Sequence, residues 1–76
     1  MIKVQFFASL SERLGRSGAE VDGADVHNAA DVWTAATGTP RPEGSILVAI
    51  NHEYAKLESP VADGDEVAFF PPVTGR

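Results

Sequence analysis

The residues with the most chemical promise are Phe70-Pro71-Pro72-Val73-Thr74-Gly75-Arg76, at the end of the chain. Two consecutive prolines lack backbone N–H donors and favour an extended polyproline path, so the segment leaves a strand and does not turn back as a helix. From Pro71 to Arg76 the chain reaches roughly 20 Å when fully stretched, enough to enter the cleft of another protein. The chemistry open to such an arm is chemistry at its terminal carboxyl. The same prolines would also serve to end an edge strand and discourage aggregation, and local composition leaves both roles open.

Other reactive groups are sparse. The sequence has no cysteine, which rules out a persulfide, a thioester-forming thiol or a zinc–thiolate centre on this chain. Any sulfur chemistry must use another group. His27 and His52 lie far apart without a companion at metal-binding spacing, which predicts surface or turn positions and no metal site. Asp63, Asp65 and Glu66 flank Gly64, as in a solvated turn or an acidic rim that orients a basic partner surface. General acid–base work would need a pocket and a shifted pKa as well. Gly15, Gly18 and Gly23 lack the Gly-Lys-Ser/Thr context of a phosphate loop.

The elements that must position the arm are legible from periodicity. Ile2, Val4 and Phe6 alternate with Lys3, Gln5 and Phe7, as a half-buried strand requires, and Phe7 falls on the polar side. Ser9-Leu10-Ser11-Glu12 fits a capping box opening a short helix with Leu10 and Leu14 on one face, closed by Gly15. Ala19 to Val21 reads as a short strand ending at Asp22-Gly23. Asn28 caps a second helix with Asp31 in its first turn, and Ala29, Val32, Trp33 and Ala36 recur at helical spacing, which makes Trp33 core. Gly38 and Pro40 stop that helix, and residues 39–44 connect it to a strand over Ser45 to Ile50. Asn51-His52 turns the chain into a short partner, Glu53 to Ala55. Asp63-Gly64 then leads into the last strand, Asp65 to Phe70, with Val67 and Phe69 on one face and Glu66, Ala68 and Phe70 on the other.

This order predicts an α+β fold, a mixed sheet of about five strands on one main helix with an additional short helix, in the manner of a ubiquitin-like roll. The domain occupies 1–70 and the tail 71–76. Phe7 and Phe70 end their strands on faces otherwise polar or small. They form one exposed apolar patch if the two strands are parallel neighbours, and Leu47 is a candidate to join it. The alternative is that both rings are ordinary core.

A chain of 76 residues with 43% hydrophobic and 22% charged content is one small domain able to fold without metal or disulfides. The net charge of −5 argues against nonspecific nucleic-acid binding and suits a basic protein partner. No apolar run approaches the ~20 residues of a membrane span, and the strand-like opening Met1-Ile2-Lys3-Val4 lacks the pattern of a signal peptide, so a soluble, cytoplasmic protein is expected.

Three segments together resemble the small, sulfur-carrier subunits of molybdopterin synthase, within the ubiquitin-like β-grasp family. They are Ile2-Lys3-Val4-Gln5-Phe6-Phe7-Ala8, the run Leu47 to Tyr54, and above all Asp63 to Val73 with its Phe-Phe-Pro-Pro-Val exit. The resemblance covers almost the whole chain. It implies a carrier whose terminal glycine carboxylate is adenylated with ATP by a loading enzyme, converted to a thiocarboxylate, and inserted into the synthase large subunit to deliver sulfur to a pterin precursor. No cofactor is expected to stay bound, and the catalytic residues are expected mainly on the partners. Pro71, Pro72, Val73 and Thr74 would form the arm, Gly75 and Arg76 the reactive end, and Phe7, Leu47 and Phe70 the docking surface. The sequence departs from the family pattern at that end, where Gly-Arg stands in place of Gly-Gly. That departure leaves a non-catalytic interaction module as an alternative, as does a carrier for another sulfur pathway such as thiamine synthesis.

Overall fold

The computed structural model describes residues 1–39 and 46–71. In chain order these form β1 (Ile2–Phe6), α1 (Ser9–Leu14), β2 (Gly18–Val21), a 3-10 turn (Gly23–Asp25), α2 (Ala29–Thr37), β3 (Leu47–Ile50), β4 (Glu53–Ala55) and β5 (Glu66–Phe70). The 3-10 turn has no counterpart in the periodicity, because a three-residue element has no repeat to show. Residues 40–45, which include Pro40, most of the expected connection and Ser45, lie outside the described residues.

The five strands make one mixed sheet in the order β2-β1-β5-β3-β4. The central pair β1 and β5 is parallel, with Phe6 opposite Phe69, and every other pair is antiparallel. The ubiquitin-like β-grasp expected from the sequence is therefore the fold observed. Alternation sends Ile2, Val4, Phe6, Val48, Val67 and Phe69 to one face, where they meet Leu10, Ala29, Val32 and Trp33 in a single core. Phe69 stacks on Phe6 with centroids 6.0 Å apart and meets Trp33 edge-on at 5.2 Å. The indole N–H of Trp33 donates to Thr39 Oγ1 at 3.0 Å, so its polar edge is satisfied as the ring is buried.

Asn28 caps α2 as expected, its Oδ1 accepting from the Asp31 N–H at 2.9 Å, while Asp31 Oδ2 accepts in return from the His27 N–H. Gly38 ends the helix in the left-handed region at φ 81°. The capping box expected at Ser9 does not form. Ser9 is already helical, and the cap position is Ala8, which has no side-chain acceptor. The chain swings out of β1 in a tighter turn, with the Leu10 N–H donating to the Phe7 carbonyl at 3.1 Å. Ala8 takes φ 55° and ψ −135° there, a conformation that glycine usually supplies and that costs another residue about 1–3 kcal/mol.

The 3-10 turn and the β5 entry touch at one glycine. A Cβ on Gly23 would sit 2.8 Å from the Asp63 Cα, closer than two carbons approach, so only glycine lets these loops meet.

Candidate functional site

The parallel pairing of β1 and β5 places the two outward phenylalanines side by side. Phe7 lies one residue beyond β1, and its N–H donates to the Phe69 carbonyl at 3.1 Å. Its backbone is therefore tied on one side to β5 and on the other to the α1 turn, and its ring has nowhere to go but the outer face. The Phe7 and Phe70 rings meet edge-on with centroids 6.3 Å apart, Phe7 47% exposed and Phe70 half-buried. Leu47 stands opposite Phe70 across β3 and β5 and is also half-buried. Of the three residues expected to share a patch, Phe7 and Phe70 touch, and Leu47 is the register partner of Phe70 on the same face. Pro71 follows Phe70 directly and is half-buried. Pro72, Val73, Thr74, Gly75 and Arg76 lie outside the described residues.

One member of the patch was missed. Tyr54 is 80% exposed and its ring lies 5.9 Å from that of Phe70. The signal was present in the hairpin: a two-residue turn puts Tyr54 opposite Ala49, on the same face as Leu47. Asn51 at φ 53° and His52 at φ 71° make this the doubly left-handed turn that matches strand twist.

Below the rings the outer face sinks into a depression of about 170 Å³. Ala49 and Ala68, direct partners across β3 and β5, form its floor, Phe7 and Phe70 one wall, and Gln5, His52 and Glu66 the polar remainder. His52 Nε2 is 3.7 Å from Glu66 Oε1. Both histidines are exposed, His52 in the hairpin turn, and no metal-binding cluster occurs among the described residues. Among those residues, too, no helix is long and apolar enough to cross a membrane.

The acidic turn splits into two roles. Asp63 Oδ1 accepts from the Met1 ammonium at 2.5 Å. Asp65 Oδ2 accepts from the Ala62 N–H at 2.8 Å and its Oδ1 from the Asn51 side-chain amide at 3.1 Å. These carboxylates tie the β5 entry to its neighbours, and of the three only Glu66 turns to the outer face. The Ala62 and Asn51 hydrogen bonds hold the Asp65 carboxyl below its ordinary value of 3.8. Its contribution to stability is then fully present above pH 3.8 and is lost as pH falls through the lowered folded value. In acid titrations followed by urea unfolding, the stability advantage of the wild type over Asp65→Ala should hold at neutral pH and shrink in that acid window. An advantage independent of pH would contradict the assignment.

Comparison with known proteins agrees with this architecture. The model of the ThiS family matches residues 4–75. The molybdopterin synthase sulfur carrier subunit of Escherichia coli (strain K12) is 42% identical, with 99% of each chain covered. SAMP1 from Haloferax volcanii superposes with a TM-score of 0.77 at 32% identity, covering 99% of this chain and 98% of that one. A chain from the complex of subunits 1 and 2 of the molybdopterin-converting factor of Helicobacter pylori 26695 superposes with a TM-score of 0.63 at 19% identity, covering 99% and 97%, a likeness of fold. By its near-complete match to the family model and its full-length similarity to a sulfur carrier subunit, the chain belongs to the ThiS family.

Proposed function

We propose that this protein is the sulfur-carrier subunit of a molybdopterin synthase, working in the cytoplasm and delivering sulfur as a C-terminal thiocarboxylate to a pterin precursor. The observation that carries the proposal is the 42% identity over essentially the whole length to a subunit of that name. The outer aromatic face and the exit of the chain at Pro71 beside it support the same reading. The domain, 1–70, docks through Phe7, Leu47 and Phe70, and the segment 71–76 is the arm, with Pro71 to Thr74 as its shaft and Gly75-Arg76 as its reactive end.

With no cysteine in the chain, sulfur has to travel on the carboxyl. A carboxylate is a poor electrophile, so an activating partner first supplies a leaving group: a carboxylate oxygen attacks the α-phosphorus of ATP and pyrophosphate departs. Hydrosulfide released by a sulfur donor then attacks the acyl carbon, AMP departs with the bonding pair, the sulfur loses its proton to solvent, and the thiocarboxylate remains as a usable nucleophile. Glycine near the end gives the arm a path without a side chain through a narrow channel. The large subunit of the synthase then receives the loaded arm.

Intact and C-terminal peptide masses test this after incubation with ATP, the cognate activating enzyme and a sulfur donor. Exchange of one oxygen for sulfur is expected, on Gly75 if Arg76 is removed and on Arg76 if it is retained. An Arg76→Gly variant should load faster if the arginine obstructs. The Gly75-Arg76 end favours one second reading, a docking module that binds the large subunit and carries no sulfur. A stable complex with no exchange would establish that reading and overturn the carrier.

A further inference from the structure

The depression on the outer face has a floor and an end of opposite character. Its floor is two alanine methyl groups facing each other across β3 and β5. One wall is the Phe7–Phe70 pair, Gln5 flanks Ala68 from β1, and the far end is the Glu66 carboxylate beside His52. Glu66 is only 31% exposed, its Oε1 lies 3.7 Å from His52 Nε2, beyond good hydrogen-bonding distance, and Lys3 is its register partner on β1. A half-buried carboxylate of this kind retains acceptor capacity that water reaches poorly.

Size narrows the occupant. About 170 Å³ lies well below the roughly 300–1,000 Å³ of pockets that hold cofactors or metabolites. It suits one long side chain. Along β5, Ala68 and Glu66 are two residues apart, about 7 Å, which is the kind of span that the methylene stem of an arginine or lysine bridges. Such residues lay their stems on apolar surface while the charged head seeks a polar partner. The net charge of −5 draws a partner with positive charge on its docking face.

From this we infer that the slot receives a basic side chain, arginine or lysine, of the large subunit, with its methylenes on Ala49 and Ala68 and its cation at Glu66. The inference rests on the docking reading above and adds to it a specificity determinant. The rings of Phe7 and Phe70 supply apolar area that many partners would accept. The carboxylate behind them rejects a partner that leaves it buried and unpaired.

Calorimetric titration of the purified large subunit into the wild type, Glu66→Gln, Ala68→Leu and Phe70→Ala, at low and high salt, tests the inference. Glu66→Gln should weaken binding about tenfold at low salt, as expected for loss of a charged hydrogen bond, and by less at high salt. Ala68→Leu fills the floor and should weaken binding at both salts. Thermal melting of each variant confirms that it is folded, and Glu66→Gln, which preserves shape, carries the test if Ala68→Leu does not fold. Wild-type affinity in Glu66→Gln alongside weakened Phe70→Ala overturns the slot and leaves the docking surface standing. Wild-type affinity in all variants overturns the docking surface too. Amide spectra of wild type and Arg76→Gly without partner complete the test. Shifts confined to Ala49, Glu66 and Ala68 would assign the slot to the chain's own arginine and overturn its assignment to the partner, and unchanged spectra uphold the partner.

Discussion

Replacing Phe69 with alanine is expected to remove a large share of the domain's stability and to move its urea unfolding midpoint sharply downward. Phe69 is fully buried on β5, the central strand that pairs with both β1 and β3. It is stacked on Phe6 and edge-on to Trp33, so it joins the sheet to α2. Truncating a buried phenylalanine costs about 3–5 kcal/mol, through lost transfer energy and the cavity left behind. At roughly 0.05–0.15 kcal/mol per residue, a domain of this size has about 4–11 kcal/mol in all. One substitution therefore removes roughly a quarter or more of it. Urea unfolding followed by Trp33 fluorescence measures the effect directly, since the indole touches the deleted ring. An unchanged midpoint would mean that the core repacks around the hole and that Phe69 is not the keystone of the sheet–helix contact.

The second large effect is on association. Phe7→Ala and Phe70→Ala should each weaken docking on the large subunit by about 2 kcal/mol, roughly 30-fold, the loss typical of aromatic anchors at the centre of an interface. The double variant should fall short of the product of the two, because the rings touch each other and share the same contact. Phe7, which is nearly half exposed, should cost little stability when truncated. Binding measured by calorimetry, with urea unfolding as a control, separates the two effects. Full affinity with both rings gone would move the docking surface elsewhere.

These two predictions divide the same two dipeptides. In Phe6-Phe7 and Phe69-Phe70 the first ring faces the core and the second the outer face, because successive strand residues point to opposite sides. The parallel register of Phe6 with Phe69 aligns both doublets. A slip of one residue in either strand would bury an outer ring and expose an inner one, so fold and docking surface depend on one register. Ala8 contributes to that dependence. Its positive φ turns the chain sharply into α1 just after Phe7, and the ring stays on the outer face instead of following the helix inward.

Much of this protein is written in its local sequence. The period-two alternation of Ile2 to Phe7 and of Glu66 to Phe70, the helical spacing of Ala29, Val32 and Trp33, and the Asn28 and Gly38 caps each depend on residues within one or two turns of each other. Local rules suffice for them, and they appear in the structure as expected. The Phe-Phe-Pro-Pro exit likewise marked the end of β5 and the outer position of Phe70. Other features required distant segments to meet. The ties that Asp63 and Asp65 make within their exposed turn follow from Met1 and Asn51 arriving beside them. The cap at Ala8 in place of Ser9 follows from the turn geometry demanded by a helix packed directly after β1. Tyr54 joined the patch, and Ala49 and Ala68 became the floor of a slot, only when β3 and β5 paired in one register. Side-chain period is a property of a few consecutive residues, whereas a surface is made by strands far apart in the chain, and their pairing is decided by the burial of the whole core.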